Sequence, residues 1–178
     1  TIGADRRYIK WDLASAEMQA ADIRFLIDYA RTLPQADMSR VAAAGFSWGG
    51  LANVFAAARD DRIKALVSLD GSVRYYPEMV DGGKTAARYV HPAQLPVPML
   101  FVSARPTSVE TLNRRGNSTS FSLLNKMSYA DVLVVTMHPM VHGDFSSEGL
   151  RFAPDSRFNE YTRAEVSTAY GWMAQYVH

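Results

Sequence analysis

The chain has 178 residues, of which 48% are hydrophobic and 21% are charged, and its formal net charge is +1. These values are typical of one globular domain with a substantial core, and the scattered basic residues do not favour a nucleic-acid partner. Cysteine is absent, which excludes disulfide bonds, thiolate metal ligands and a cysteine nucleophile.

The first predicted element is a helix that begins after Asp12, a residue suited to an N-cap, and ends near Leu33, just before Pro34. Its large apolar residues recur at helical spacing, which predicts a single buried face. The positions assigned to this face are Met18, Ala21, Phe25, Leu26, Tyr29 and Leu33.

A serine turn follows this helix. The apolar run 40–44 predicts a buried strand, residues 51–58 predict a helix, and Gly45-x-Ser47-x-Gly49 joins them. This is the context of a nucleophile elbow, in which the serine has strained backbone geometry and the flanking glycines avoid collisions. The positive end of the helix would favour an oxyanion beside Ser47. The alternative is a small-residue turn that only tightens the join between strand and helix.

Three more apolar runs predict strands, at 63–69, 99–103 and 131–137. The charged turn 59–62 between helix and strand is interpreted as solvated surface. Strands that alternate with helices predict an α/β fold, a three-layer sandwich whose mainly parallel sheet is covered on both faces. The irregular stretch 75–94 could form a lid or pocket wall, and Thr162–Glu165 form a capping box that opens a last helix.

Reactive residues follow three of the predicted strands. Ser47 follows the first strand, Asp70 the second, and His138 and His142 the fourth. Sites in parallel sheets form beyond the carboxyl ends of the strands, and serine, acid and histidine in this chain order are expected for an elbow fold. A histidine can take the serine proton while a carboxylate fixes the tautomer of the imidazole. The sequence therefore predicts a Ser-Asp-His triad.

Two positions in this triad have alternatives. His142 is favoured over His138, because His138 precedes a proline and is held extended. Glu110, beyond the third strand, is the alternative acid, and Asp70 could instead be a turn carboxylate that bonds the following backbone. Asp144 is too close to His142 in sequence to serve as its acid and is predicted to cap a turn.

Three segments resemble one branch of a known superfamily. Gly45-Phe46-Ser47-Trp48-Gly49-Gly50, Leu69-Asp70 and Val141-His142-Gly143-Asp144-Phe145 are similar to the elbow, acid and histidine segments of certain α/β-hydrolases. These are the dienelactone-hydrolase-like and platelet-activating-factor acetylhydrolase-like serine hydrolases. The resemblance spans essentially the whole chain and corresponds to the later, C-terminal part of the α/β-hydrolase fold. Dienelactone hydrolases themselves use a cysteine, so their particular activity is not expected here.

The resemblance implies an incomplete site. The first strands of the family have no counterpart, so residues 1–178 are expected to form a single α/β-hydrolase domain that is N-terminally incomplete. The backbone N–H of Trp48 would supply one oxyanion donor, and the second donor would come from outside the chain. The four strands would be neighbours, with the elbow strand at an exposed edge through which the chain could pair.

The predicted function is that of a serine esterase, which cleaves carboxylic esters through an acyl-enzyme on Ser47. Trp48, Tyr75, Tyr76 and Met140 are the predicted pocket wall. A small-molecule ester is the expected partner, with no cofactor, no metal and, since no run is long and apolar enough, no transmembrane segment. The alternatives are a peptidase or acyl transferase with the same triad, and a catalytically silent domain used as a binding or structural module.

Overall fold

The computed structural model describes residues 13–73, 90–115 and 123–177. The predicted cap Asp12 and the predicted pocket residues Tyr75 and Tyr76 lie outside these ranges. The helices are α1 (Leu13–Ala30), α2 (Trp48–Ala57), α3 (Val109–Arg114), α4 (Ser147–Phe152) and α5 (Arg163–Val177), and the strands are β1 (Val41–Phe46), β2 (Ile63–Leu69), β3 (Met99–Ala104) and β4 (Val132–Met137). Single 3₁₀ turns occur at Pro92–Gln94, Leu124–Lys126, His142–Phe145 and Asp155–Arg157.

The four strands form one parallel sheet in the order β1-β2-β3-β4. Phe46 is paired with Leu69, and Leu69 with Val102, so the carboxyl ends of the first three strands meet at one edge. Helices cover both faces: α1 and α2 pack in a first core, and α5 packs in a second. The predicted three-layer α/β architecture is confirmed.

The inner strand β3 is buried on both faces, and this burial accounts for its continuous apolar sequence. Its neighbouring residues Phe101 and Val102 point to opposite faces of the sheet, and both are fully buried. Phe101 belongs to the first core, whereas Val102 belongs to the second. A strand that is buried on both faces has no polar alternation, as expected for a parallel sheet between helices.

Helix α1 packs through a different face from the one predicted. Phe25 on the predicted face is 68% exposed, and Met18, Leu26, Tyr29 and Leu33 are exposed as well. Ala20 and Ile27 are buried instead, in the first core with α2. The helix carries two apolar stripes, and spacing alone does not reveal which of them faces the core. The exposed stripe adjoins a groove of about 370 Å³ between α1 and the edge strand β1.

The charged turn 59–62 is not simply solvated surface, because Asp60 is buried within it. Its side chain is 4% exposed and accepts hydrogen bonds from Nε and Nη2 of Arg62 at 2.8 and 2.6 Å. The hydrogen bonds from Arg62 hold the pKa of Asp60 below its usual value, against the opposing effect of burial. Arg24 of α1 lies 3.9 Å from the same carboxylate, so the turn links α1 to the start of β2.

The last helix begins with the predicted capping box. The backbone N–H of Thr162 donates to Oε2 of Glu165 at 2.7 Å, and the backbone N–H of Glu165 donates to Oγ1 of Thr162 at 3.2 Å. The bond from the Thr162 N–H, together with a hydrogen bond from Oγ1 of Thr162 to Oε2 of Glu165 at 2.8 Å, lowers the pKa of the Glu165 carboxyl. Val166, Ala169 and Met173 of α5 then bury their side chains in the second core. Within the described ranges, no helix combines the length and apolarity needed to cross a membrane.

Candidate active site

Ser47 forms the sharp turn between β1 and α2. Its backbone has φ 54° and ψ −122°, a conformation that L-residues rarely adopt. The turn is fixed by hydrogen bonds from Ser47 N–H to the Leu69 carbonyl at 3.0 Å and from Ser72 N–H to the Ser47 carbonyl at 3.1 Å. The strain therefore lies at the residue whose side chain is presented above the sheet edge.

The close contacts of the turn fall on Gly45 and Gly50. A Cβ on Gly45 would lie 2.5 Å from the backbone of Gly49, and a Cβ on Gly50 would lie 2.5 Å from Oγ of Ser68. By contrast, a Cβ on Gly49 would meet no described atom within 4 Å. Within the described residues, close contacts therefore explain why a glycine is needed at Gly45 but not at Gly49. The second position where a side chain would collide is Gly50.

Asp70 follows β2 directly and has a positive φ of 43°. Its backbone N–H donates to the Val102 carbonyl at 2.6 Å, and its Oδ1 accepts from the Ala104 N–H at 2.8 Å. Its second oxygen, Oδ2, lies 2.6 Å from Nδ1 of His142. Both carboxylate oxygens are therefore held, one by the end of β3 and one by the imidazole.

His142 opens the 3₁₀ turn after β4 and lies between the other two residues. Its Nε2 is 3.0 Å from Oγ of Ser47, and its Nδ1 is the atom that contacts Asp70. The ring packs on Phe46 with centroids 4.8 Å apart, and Phe46 stacks in turn on Phe145 at 6.5 Å. The aromatic floor and the two hydrogen bonds together set the orientation of the imidazole.

The three side chains form a continuous series that suits proton transfer. The Asp70 carboxylate can only accept a hydrogen bond, so it favours the tautomer in which Nδ1 carries the proton. Nε2 is then an acceptor for the Ser47 hydroxyl proton. Trp48 is the first residue of α2, so its backbone N–H lies at the positive end of that helix, beside Ser47.

The alternative residues lie elsewhere. Glu110 is exposed in the first turn of α3, and His138 is exposed beside α5. The prediction that Asp144 caps a turn is confirmed, because its Oδ2 accepts from the Val141 N–H at 2.7 Å. The prediction that Met140 forms part of the pocket wall is wrong, because this residue is 0% exposed and packs in the second core.

Sequence reasoning missed the Ala104 N–H that holds Asp70. The contact uses a backbone group, so the identity of residue 104 carried no signal for it. The one available clue was that the third strand must end beside the second. Within the described part of the chain, no group of three or more His, Asp or Glu residues is arranged to hold a metal ion.

A parallel sheet with a strained serine at the start of a helix, and with an acid and a histidine beyond the carboxyl ends of two further strands, is the α/β-hydrolase fold. The model of the dienelactone hydrolase family matches residues 4–105, more than half of the chain. The chain therefore belongs to the dienelactone hydrolase family, which confirms the resemblance seen in its motifs. A search of curated proteins finds no match.

Solved structures with the same fold include three enzymes of different names. A ferulic acid esterase from Streptomyces cinnamoneus is 20% identical, with a TM-score of 0.57, over 90% of this chain and 47% of that chain. A dienelactone hydrolase-like promiscuous phosphotriesterase from metagenomic libraries is 20% identical, with a TM-score of 0.54, over 88% and 59%. An acylaminoacyl peptidase from Pyrococcus horikoshii is 16% identical, with a TM-score of 0.53, over 88% and 27%. The chain thus spans about half of the esterase.

Proposed function

We propose that this chain carries the catalytic triad of a serine hydrolase that cleaves carboxylic esters through an acyl-enzyme. Ser47 is the nucleophile, His142 the general base and then acid, and Asp70 the carboxylate that orients His142. The observation that carries the proposal is the continuous hydrogen-bonded series, with 3.0 Å between Ser47 and His142 and 2.6 Å between His142 and Asp70. Nucleophile, base and orienting group within hydrogen-bond reach are the geometric requirement for this chemistry.

The first half of the reaction forms the acyl-enzyme. Oγ of Ser47 attacks the ester carbonyl carbon while its proton passes to Nε2 of His142, and the carbonyl π electrons move onto oxygen. The negative carboxylate of Asp70 stabilises the imidazolium. When the tetrahedral intermediate collapses, the C–O bond to the alcohol breaks, and the leaving oxygen takes the proton from Nε2.

The second half repeats these steps with water as the nucleophile. Water attacks the acyl carbon as His142 takes its proton, and collapse returns the proton to Oγ of Ser47 and releases the carboxylic acid. The complete cycle consumes one ester and one water, releases one alcohol and one carboxylic acid, and regenerates Ser47 and His142. This chemistry requires no metal or cofactor.

The backbone N–H of Trp48 is the proposed oxyanion donor. It belongs to the first turn of α2, where the helix dipole favours negative charge. An oxyanion hole normally uses two donors, and removal of one slows acyl transfer by about 10²–10³-fold.

Esters are favoured over the other substrate classes. Membership of the dienelactone hydrolase family and the fold of the ferulic acid esterase support an ester, with a small molecule as the substrate. A peptidase with the same triad is the second candidate, since an acylaminoacyl peptidase shares the fold. A catalytically silent binding module would not need the Ser47–His142–Asp70 geometry, which weighs against that alternative.

The proposal is tested by turnover of p-nitrophenyl acetate and butyrate against peptide p-nitroanilides. We expect ester hydrolysis that Ser47→Ala reduces to background and that Ser128→Ala, a change at an exposed loop serine, leaves within about twofold. Ester hydrolysis that persists in Ser47→Ala would reject the assignment. Faster cleavage of the anilides would favour the peptidase, and no turnover of either substrate class would favour the silent module.

A further inference from the structure

The 3₁₀ turn His142–Phe145, called the histidine turn below, contains one partner of a buried ion pair that the proposed reaction does not use. Asp144, two residues after His142, has a side chain that is 1% exposed. Its Oδ1 accepts a hydrogen bond from Nη2 of Arg157. A buried carboxylate is strongly disfavoured unless it is paired and hydrogen-bonded, so this contact requires a specific explanation.

The same carboxylate fixes the start of the turn. Its Oδ2 accepts from the Val141 N–H at 2.7 Å, and the Asp144 N–H donates back to the Val141 carbonyl at 2.9 Å. These reciprocal bonds close the 3₁₀ turn His142–Phe145 around the residue that bears the imidazole. The backbone that carries the His142 side chain therefore belongs to a turn that the buried carboxylate caps.

Arg157 is itself held independently of the histidine. Its guanidinium lies 4.6 Å above the ring of Phe158, and Arg163 at the start of α5 lies 4.4 Å from the same ring. Phe158 packs against the second core. The ion pair therefore connects the histidine turn to a segment that the core and α5 already anchor.

A second arginine attaches the other end of the loop to the same segment. The backbone N–H of Arg105 donates to the Met140 carbonyl at 2.9 Å, and its Nη2 donates to the Pro139 carbonyl at 3.2 Å. Its Nη1 contacts Glu160. Arg105 directly follows Ala104, whose N–H holds Asp70. The segment 139–144 that contains His142 is thus attached at both ends to the segment 157–160: through Arg105 at Pro139, and through Asp144 at its other end.

We propose that Asp144 and Arg157 are a positioning pair, which keeps His142 within hydrogen-bond reach of both Asp70 and Ser47. The proposal rests on the proposed function, since it assigns the pair to the same site. The His142 side chain is 54% exposed, so packing alone does not confine it. A misplacement of about 1 Å in a reacting group can cost about 10²-fold in rate, and loss of the cap would allow such a shift.

A purely structural ion pair is the competing explanation, and the chain offers a matched control. Asp155 accepts from Nη2 of Arg163 at 2.8 Å in the same segment, but its side chain is 95% exposed. Asp155→Asn removes the same charge from the same type of pair without touching the turn. A general effect of charge loss would appear in both variants, whereas a positioning effect would appear only in Asp144→Asn.

The experiment uses the 178-residue chain with Asp144→Asn, Arg157→Gln, Arg157→Lys and the Asp155→Asn control. Thermal unfolding identifies a temperature at which the variants are folded. There, the rate of phosphonylation of Ser47 by a fluorophosphonate is measured, together with the NMR resonance of the proton between His142 and Asp70. We expect the rate to fall roughly tenfold to 10²-fold and the resonance to broaden in Asp144→Asn and Arg157→Gln.

In the same comparison, Arg157→Lys should retain part of the rate, because it keeps the charge, and Asp155→Asn should match the parent. Folded Asp144→Asn and Arg157→Gln with the parental rate and resonance would overturn the proposal. It would also be overturned if Asp155→Asn showed an equal loss, or if both Asp144→Asn and Arg157→Gln failed to fold. If the parent itself is not labelled at Ser47, the proposed function fails, and the resonance still decides the positioning role.

Discussion

Replacing Asp70 by Asn tests the triad at its most specific contact. Asn is the appropriate variant because Asp70 has φ 43°, a conformation that Asn tolerates better than most residues. The Ala104 N–H, 2.8 Å from Oδ1, needs an acceptor, so it orients the Asn oxygen towards itself. The Asn amide NH₂ then replaces Oδ2 and faces Nδ1 of His142, which lies 2.6 Å from Oδ2 in the parent.

This reversal changes the tautomer of the imidazole. Facing a donor, Nδ1 must become the acceptor, so the ring proton moves to Nε2. Nε2 then has no lone pair for the Ser47 proton, although it still lies at the parental 3.0 Å. In serine proteases the equivalent exchange lowers kcat by about 10⁴-fold with the geometry intact. We expect a fall of about the same size here, in kcat far more than in KM, because the lost step is a proton transfer and not ground-state binding.

The assay is the kcat and KM for p-nitrophenyl butyrate, with circular dichroism and thermal unfolding to confirm the fold. Glu110→Gln is the matched control, since it neutralises the alternative acid, which is exposed on α3. The control should retain activity within about twofold. A loss of less than about tenfold in Asp70→Asn, or a loss in Glu110→Gln that equals it, would refute the tautomer argument.

Three further predictions concern the fold that presents the site. In urea denaturation, Ile27→Ala should lower the free energy of unfolding by about 2–5 kcal/mol, while Phe25→Ala should change it by less than about 0.5 kcal/mol. The reverse order would indicate that α1 packs through the face predicted from the sequence, which carries Phe25. Gly50→Ala should cost roughly 1–3 kcal/mol, because its Cβ would lie 2.5 Å from a buried hydroxyl of β2, and Gly49→Ala should be tolerated. Because the pKa of Asp60 is lowered in the folded state, its stabilisation is present above its unfolded pKa of about 3.9 and is lost as pH falls through the lowered value, so Asp60→Asn should flatten the dependence of stability on acid pH.

The juxtaposition of Ser47, Asp70 and His142 could be predicted because each of these residues lies in a local sequence pattern. The glycine–serine turn, the apolar run before Asp70 and the Gly-containing loop after β4 each occupy a few consecutive residues. The parallel sheet then brings these segments together, because the carboxyl ends of its strands lie at one edge. Long-range geometry followed from topology, without knowledge of any side-chain contact.

Features that depend on what lies opposite a residue could not be predicted. Helix α1 has apolar residues on two sides, so its period fits either packing direction. The need for Gly50 arises from Ser68, a residue of another element. Met140 occupies a short loop between β4 and the histidine turn, where spacing gives no inward or outward direction.

Charged residues posed a similar difficulty. Asp60 lies in a run of four charged residues that is typical of solvated surface, yet its carboxylate is buried by its contacts with Arg62 and Arg24. The Asp144–Arg157 pair joins residues from two loops, and neither loop has a regular period. Composition shows that a residue can be charged, and only the fold decides which charges are paired in the interior.

The most direct test of the central claim is to map a fluorophosphonate adduct on the folded 178-residue chain by tandem mass spectrometry. The account predicts one modified residue, Ser47, whose labelling is lost on heat denaturation and in His142→Ala, because the hydroxyl reacts only when the imidazole accepts its proton. An adduct on any other residue, or labelling of Ser47 that persists after denaturation, would contradict it.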